Sequence, residues 1–336
     1  MKIDGLHCLV TGGAGTMGSN LVDELIIKGC KVRVLDNLAN GKLENLADHL
    51  TNKNFQFYRG TVTDPFDVKR VMEGIDVVFH LACLGVRHSI IHPFENHRVN
   101  AEGTLLALDA AYHAQVKRFV YCSTSEVYGT AQYVPVTEDH PTFPCTVYGA
   151  SKLAGEAYAR VCHKLYGMPI VILRPFNIYG PRSHHEGDAG EFIPKSIVRA
   201  LNGEPIIIFG DGTQTRDFTY VKDTVRAFLI AVESDDIIGQ TLNVGSNFEI
   251  SINELAHKIA AMVSQTPTDV IHTPERPGDV LRLHSDYQKF NKLCGWKPVV
   301  ALETGLTLTI EHFRKHPLGA EGLLTGEAGR NWEIKF

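Results

Sequence analysis

The chain has 336 residues, 33 basic and 38 acidic, for a formal charge of -5, with 44% hydrophobic and 21% charged side chains. That length allows about two domains, and the apolar share supports a sizeable core and excludes a disordered chain. The acidic balance argues against non-specific nucleic-acid binding, and no apolar run approaches the ~18 residues of a membrane span.

Short β-branched runs alternate with helical patterns through the first half. Strands are predicted at 7–10, 31–35, 55–58, 77–81, 119–122 and 170–173, with helices at 18–28, 101–114 and 149–166. Strands alternating with helices imply right-handed crossovers and a parallel sheet covered on both faces. Beyond Arg174 the pattern loosens. Helices at 193–202 and 221–233 flank the run 206–209, followed by helices at 251–263 and 302–315 and a glycine-bearing tail from Gly319. The seven cysteines have no metal-ligand spacing and are expected as buried, reduced thiols. Without a secretory pattern at Met1 to Asp4, a soluble cytoplasmic protein is expected.

Thr11-Gly12-Gly13-Ala14-Gly15-Thr16-Met17-Gly18 follows the first strand and opens the first helix. Glycines at 12, 15 and 18 allow a tight turn, close approach of a pyrophosphate, and packing of helix on strand, while the helix N-terminus offers free N–H groups. Asp36 ends the second strand, where a carboxylate accepts from both ribose hydroxyls and repels a 2′-phosphate. The pattern therefore predicts NAD rather than NADP, in a Rossmann-type doubly wound parallel sheet with a smaller C-terminal α/β substrate-binding region. The cofactor set is expected to include Thr16, Met17, Asn37, Leu81, Ala82 and Asn100. Asp64 either meets the adenine amino group or caps the helix before Pro65. Residues 1–178 are expected to form the NAD-binding domain, with about 210–245 returning to it, 179–318 the substrate region, and 319–336 an extension.

Tyr148 and Lys152 stand four residues apart at the start of a predicted helix, on one face. An ammonium near a phenol favours phenolate, so Lys152 is expected to tune Tyr148 as a base. Ser123-Thr124 closes a strand at the sheet edge where ligands sit in such folds.

These motifs, with His80-Leu81-Ala82, Arg174-Pro175-Phe176-Asn177 and Arg216-Asp217-Phe218, resemble the extended short-chain dehydrogenase/reductase family, specifically its NAD-dependent nucleotide-sugar epimerases and dehydratases, from Leu6 to about Arg314. The resemblance implies a nucleotide-sugar substrate, a homodimer built on the helices near 101–114 and 153–166, and NAD as a bound hydride acceptor. It implies Tyr148 as the base at the sugar 4-hydroxyl, Lys152 as a ribose ligand and Thr124 as partner of the sugar oxygen. Asn177, Arg216 and Arg276 are implied ligands of the nucleotide diphosphate, whose oxygens suit forked guanidinium donors.

Ser123-Thr124-Ser125-Glu126-Val127-Tyr128-Gly129 is similar to nucleotide-sugar 4,6-dehydratases, and so is the continuation to Pro141. There Glu126 is expected as the C5 base, with Ser125 against the substrate; the bland alternative for Glu126 is a capping carboxylate. The dTDP-glucose dehydratases carry aspartate where this chain has Ser125, and the run from Arg216 to Val221 looks more like the epimerases. A 4,6-dehydratase is the leading expectation, a UDP-sugar 4-epimerase the second and a UDP-glucuronate decarboxylase the third. A decarboxylase arginine would fall at Leu283, with Arg282 one position off. From another class, a catalytically silent NAD sensor would have no chemical need for Thr124, Tyr148 and Lys152. The loop of His184, His185, Glu186 and Asp188 is expected to cover substrate rather than bind metal.

Overall fold

The structure, a computed structural model, describes residues 1–263 and 268–325. Seven parallel strands form the central sheet, in the order β11-β6-β5-β4-β1-β2-β3. The chain begins β1 (His7–Thr11), α1 (Thr16–Ile27), β2 (Lys31–Asp36), β3 (Phe55–Arg59), α2 (Pro65–Met72) and β4 (Val77–His80). It continues with α3 (Val86–Ile91), α4 (Pro93–His97), α5 (Gly103–His113), β5 (Arg118–Cys122), α6 (Val147–Tyr166) and β6 (Ile170–Pro175). Strand order reverses between β1 and β4, which opens a crevice at the carboxyl ends of the strands.

Each central strand is apolar on both faces because helices cover both. Cys8 and Val10 join the core beneath α1, while Leu9 packs with Val78, Phe119, Ile170 and Ile172 in the layer beneath α5 and α6. α6 starts at the Thr146 cap, whose hydroxyl accepts from Gly149 N at 3.2 Å, and stops at Gly167 in the left-handed region at φ 68°.

The second half supplies β7 (Ile178–Tyr179), α7 (Phe192–Leu201), β8 (Ile206–Phe209), β9 (Thr215–Asp217), β10 (Thr219–Tyr220) and α8 (Val221–Glu233). Then come β11 (Thr241–Val244), β12 (Glu249–Ser251), α9 (Ile252–Val263), β13 (Val270–Thr273), α10 (Gln288–Cys294), α11 (Leu302–Arg314) and α12 (Gly319–Leu324). α8 packs on α1, and β11 pairs with β6 as the edge of the central sheet. β8 with β13, α7 and α9 form a smaller layer over the crevice. The tail begins with α12, docked through buried Leu323 and through the Ala320 carbonyl, which accepts from Asn202; residues 326–336 lie outside the described residues.

Two expectations need correction. Cys83 and Cys145 are exposed, although all seven thiols are free. The sequence reading also missed β11, α3, α4, α10 and the short strands β7, β9, β10, β12 and β13. Among the described residues no helix is long and apolar enough to cross a membrane.

Candidate active site

A cleft of about 430 Å³ runs along the carboxyl edge of the sheet, from the glycine loop to the layer of α7 and β8. Gly12, at φ +70°, is pressed so tightly on the loop after β4 that a Cβ would meet the Ala82 backbone at 2.8 Å. A Cβ on Gly18 would sit 2.2 Å from the Gly12 carbonyl oxygen, so helix and loop touch backbone to backbone. A Cβ on Gly15 would find only the Gly12 oxygen, at 3.4 Å, and Gly15 lines the cleft. No side chain caps α1, so its first N–H groups are available to a ligand. This cradle has the shape and the donors that a pyrophosphate requires.

Asp36 closes β2 beside it, buried, with its carboxylate accepting from Ala14 N at 2.9 Å and Leu38 N at 2.8 Å. Burial raises its pKa, and those two backbone donors oppose the rise. Asn37, Thr16, Met17, Leu81 and Ala82 line the same stretch. Asn100 stands behind it: its amide oxygen accepts from Leu84 N at 3.1 Å and its NH₂ donates to Leu84 O at 2.9 Å, holding the loop that lines the cleft. Asp64 takes the capping role, accepting from Phe66 N at 2.8 Å, and it lies outside the cleft lining, where Thr61 and Val62 stand instead.

Farther along, Thr124 and Tyr148 line the cleft together. Burial pushes the Tyr148 phenol well above its ordinary pKa, nearby Cys83 adds to this, and the neighbouring Thr124 hydroxyl opposes it. Lys152 is fully buried and holds its ammonium 4.5 Å over the Tyr121 ring. Burial works against that charge, but Tyr121, Cys83 and Cys122 outweigh it and raise the pKa. The Lys152 ammonium thus meets Tyr121 as well as standing one helical turn from Tyr148, the phenol it is expected to tune.

Thr124 itself caps the short 3₁₀ turn Ser125–Val127, its hydroxyl accepting from Glu126 N at 3.2 Å. The cap is therefore the threonine, and Glu126 turns into the cleft with buried Ser125. Burial raises the Glu126 carboxyl above its ordinary pKa, while Arg216 and Arg276 pull it back. Both arginines donate to one oxygen of Asp279, at 2.6 and 2.7 Å, and Asn177 donates to the Asp217 carbonyl at 3.0 Å. Asp279, Arg87 and Glu191 also line the cleft and were not picked out as site residues from sequence. The i, i+3 spacing of Arg276 and Asp279 was the available signal. Arg282 instead pairs with Glu249 and is half exposed, while Leu283 is buried. The loop at 183–191 borders the cleft, and an ion pair from Lys42 to Glu186 ties it to the cofactor half.

A doubly wound sheet whose glycine loop and Asp36 share a cleft with Thr124 and Tyr148, with Lys152 buried one helical turn on, defines a dinucleotide-dependent enzyme. The chain belongs to the NAD dependent epimerase/dehydratase family, which it matches over residues 8–245. It is 37% identical over 313 residues to a UDP-glucose 4-epimerase of Mycolicibacterium smegmatis, covering 92% of this chain and 99% of the relative. It is 34% identical over 320 residues to a dTDP-D-glucose 4,6-dehydratase of Mus musculus, covering 92% and 88%. Among solved structures, the dTDP-glucose 4,6-dehydratase DesIV of Streptomyces venezuelae, with NAD and TYD bound, superposes with a TM-score of 0.87 at 30% identity, covering 92% of this chain and 97% of that one. The cofactor is NAD, and the reaction class is the modification of nucleotide sugars by epimerisation, dehydration or decarboxylation.

Proposed function

We propose that the protein is a nucleotide-sugar 4,6-dehydratase that converts its substrate to a 4-keto-6-deoxy sugar nucleotide. The observation that carries this reading is Glu126: a carboxylate in the cleft, two residues beyond Thr124, with the capping role already filled by that threonine. NAD held at Gly12–Gly18, Asp36 and Lys152 supplies the hydride acceptor and donor. Tyr148, in the cleft with Thr124, takes the proton of the sugar 4-hydroxyl. The resulting ketone acidifies the C5 hydrogen, and Glu126, made more basic by burial, removes it. The C6 hydroxyl then leaves as water, taking up the proton that Glu126 holds, and the double bond left between C5 and C6 would accept the hydride back at C6 and a solvent proton at C5. Asn177, Arg216 and Arg276 bind the diphosphate, and Ser125 lies against the sugar.

A 4-epimerase is the second reading, favoured by the 37% identity to the Mycolicibacterium enzyme. Decarboxylation ranks third, since Leu283 is buried and Arg282 is engaged by Glu249. The working form is a homodimer, supported by the exposed apolar side chains Leu105, Tyr112, Val161 and Leu165 on α5 and α6.

Incubating the protein with UDP-glucose, UDP-N-acetylglucosamine, GDP-mannose, dTDP-glucose and UDP-glucuronate in deuterated water, with NAD present, tests the reading by mass spectrometry and NMR. Loss of water with deuterium at C5 is expected, and Glu126→Gln abolishes it while C4 oxidation persists. A new C4 epimer without mass loss would reverse the order of the two readings.

A further inference from the structure

Thr124 and Glu126 leave the end of β5, whereas Tyr148 and Lys152 stand on α6, and more than twenty residues of chain separate the two groups. Their mutual geometry must therefore be held by something other than chain continuity. A buried polar network spans that gap. Glu156, on α6 one turn beyond Lys152, is fully buried and its two carboxylate oxygens receive four donors. Oε1 accepts from Ser123 Oγ at 2.5 Å and from Arg174 Nε at 2.8 Å. Oε2 accepts from Arg174 Nη2 at 2.7 Å and from Arg160 Nη1 at 2.9 Å. The forked Arg174 bond fixes the plane of the pair, and the charge is fully met by donors, as a buried carboxylate requires.

Arg174 also reaches in the other direction. Its Nη1 donates to the Tyr128 hydroxyl at 2.7 Å, and that hydroxyl donates to Asn243 Oδ1, on β11, at 2.7 Å. Tyr128 closes the turn that carries Glu126, with its N–H on the Ser125 carbonyl at 3.1 Å. Glu126 is thus gripped on both sides, by Ser123 three residues before it and by Tyr128 two residues after it. Both grips end on the same Glu156–Arg174 pair.

We infer that Glu156 and Arg174 are a positioning pair that acts through Ser123 and Tyr128 to aim Thr124 and Glu126 at Tyr148. The pair itself does not border the cleft, so it acts on the reaction only by placing groups that do. The inference rests on the proposed function for the roles of Thr124 and Glu126, but its mechanical half, the double grip, stands on the network alone. Catalytic groups displaced by about 1 Å lose roughly a hundredfold in rate, so loosening one grip of two should show clearly.

Ser123→Ala and Tyr128→Phe each cut one grip and leave the buried ion pair intact, which avoids the unfolding that Glu156→Ala would bring. Hydrogen–deuterium exchange of the full chain reads the mechanical half without any substrate. Amides over 123–129 should exchange about tenfold faster in either variant and faster still in the double variant, with the β1–α1 segment unchanged. Unchanged exchange over 123–129 would overturn the inference whatever reaction the enzyme performs. Turnover on the sugar nucleotide of the panel above that the wild type converts reads the catalytic half. There kcat should fall about tenfold or more with KM within about threefold, since binding groups are untouched. Faster exchange with unchanged kcat would overturn the claim that the grip serves the reaction. If the wild type converts none of the panel, the functional reading fails, and the exchange result still decides the grip.

Discussion

Lys152 rests its ammonium 4.5 Å above the Tyr121 ring, and the Tyr121 hydroxyl donates back to the Lys152 carbonyl at 3.1 Å. The ring face offers a negative quadrupole to a charge that would otherwise be buried unpaired, worth ~2 kcal/mol when desolvated. Ring and hydroxyl can be separated. Tyr121→Phe keeps the ring and removes the hydrogen bond, so a stability loss of about 1 kcal/mol is expected by urea unfolding, with turnover within about threefold of wild type. A large loss of turnover in that variant would show that the hydroxyl, rather than the ring, holds Lys152 in place.

Gly15 and Gly18 make opposite predictions within one loop. Alanine at Gly18 drives its Cβ into the Gly12 carbonyl, 2.2 Å away, and should destabilise the fold by ~1–3 kcal/mol through overpacking. Alanine at Gly15 meets nothing closer than 3.4 Å, so the fold should be unaffected while NAD retention drops, because the methyl fills the pyrophosphate cradle. Thermal unfolding and the NAD content of the purified variants check both. Equal stability loss in the two would mean that Gly15 is also a packing glycine.

Tyr148→Phe should lower turnover by ~10²–10⁴ while leaving NAD content and melting temperature unchanged. The pH profile has a separate author in Glu126. Its raised pKa places the protonation of the base above the ordinary carboxylate range, so kcat/KM falls on the acid side as pH drops through that raised value. Glu126→Gln should remove this limb from what activity remains. An acid limb unchanged in that variant would assign it to another group.

His80 predicts a pH dependence of stability. It is fully buried between Thr11 Oγ1 at 2.9 Å and Thr104 Oγ1 at 3.1 Å. Burial, with Lys152 second, lowers its pKa from 6.5 to about 3. The unfolded chain therefore takes a proton near pH 6.5 that the folded protein refuses until about 3. Its contribution is complete above pH 6.5 and is lost as pH falls towards 3, on the order of a few kcal/mol in all. Urea unfolding across that window should show a shallower decline in His80→Gln, and parallel curves would exclude His80 as the source.

The parts of this protein that the sequence by itself determined are those written by near neighbours. Six strands of the central sheet show as short runs rich in β-branched and aromatic residues, and the glycine loop lies within eight consecutive residues next to its strand. Tyr148 and Lys152 are legible because one helical turn brings them together. Tertiary structure alone decided the rest. β11 was missed because Asn243 interrupts its apolar run, and that residue is buried because its side chain accepts from Tyr128 and donates to the Val136 and Asp286 carbonyls, all distant in sequence. Asp64 and Glu126 each had a capping alternative in the sequence; packing sent Asp64 to the cap and turned Glu126 into the cleft, since Thr124 already held the cap. Lys152 also meets the Tyr121 ring, which another element supplies and which the helix spacing could not announce. Periodicity encodes which face a side chain occupies, but what it meets there depends on residues that only the folded chain brings within reach.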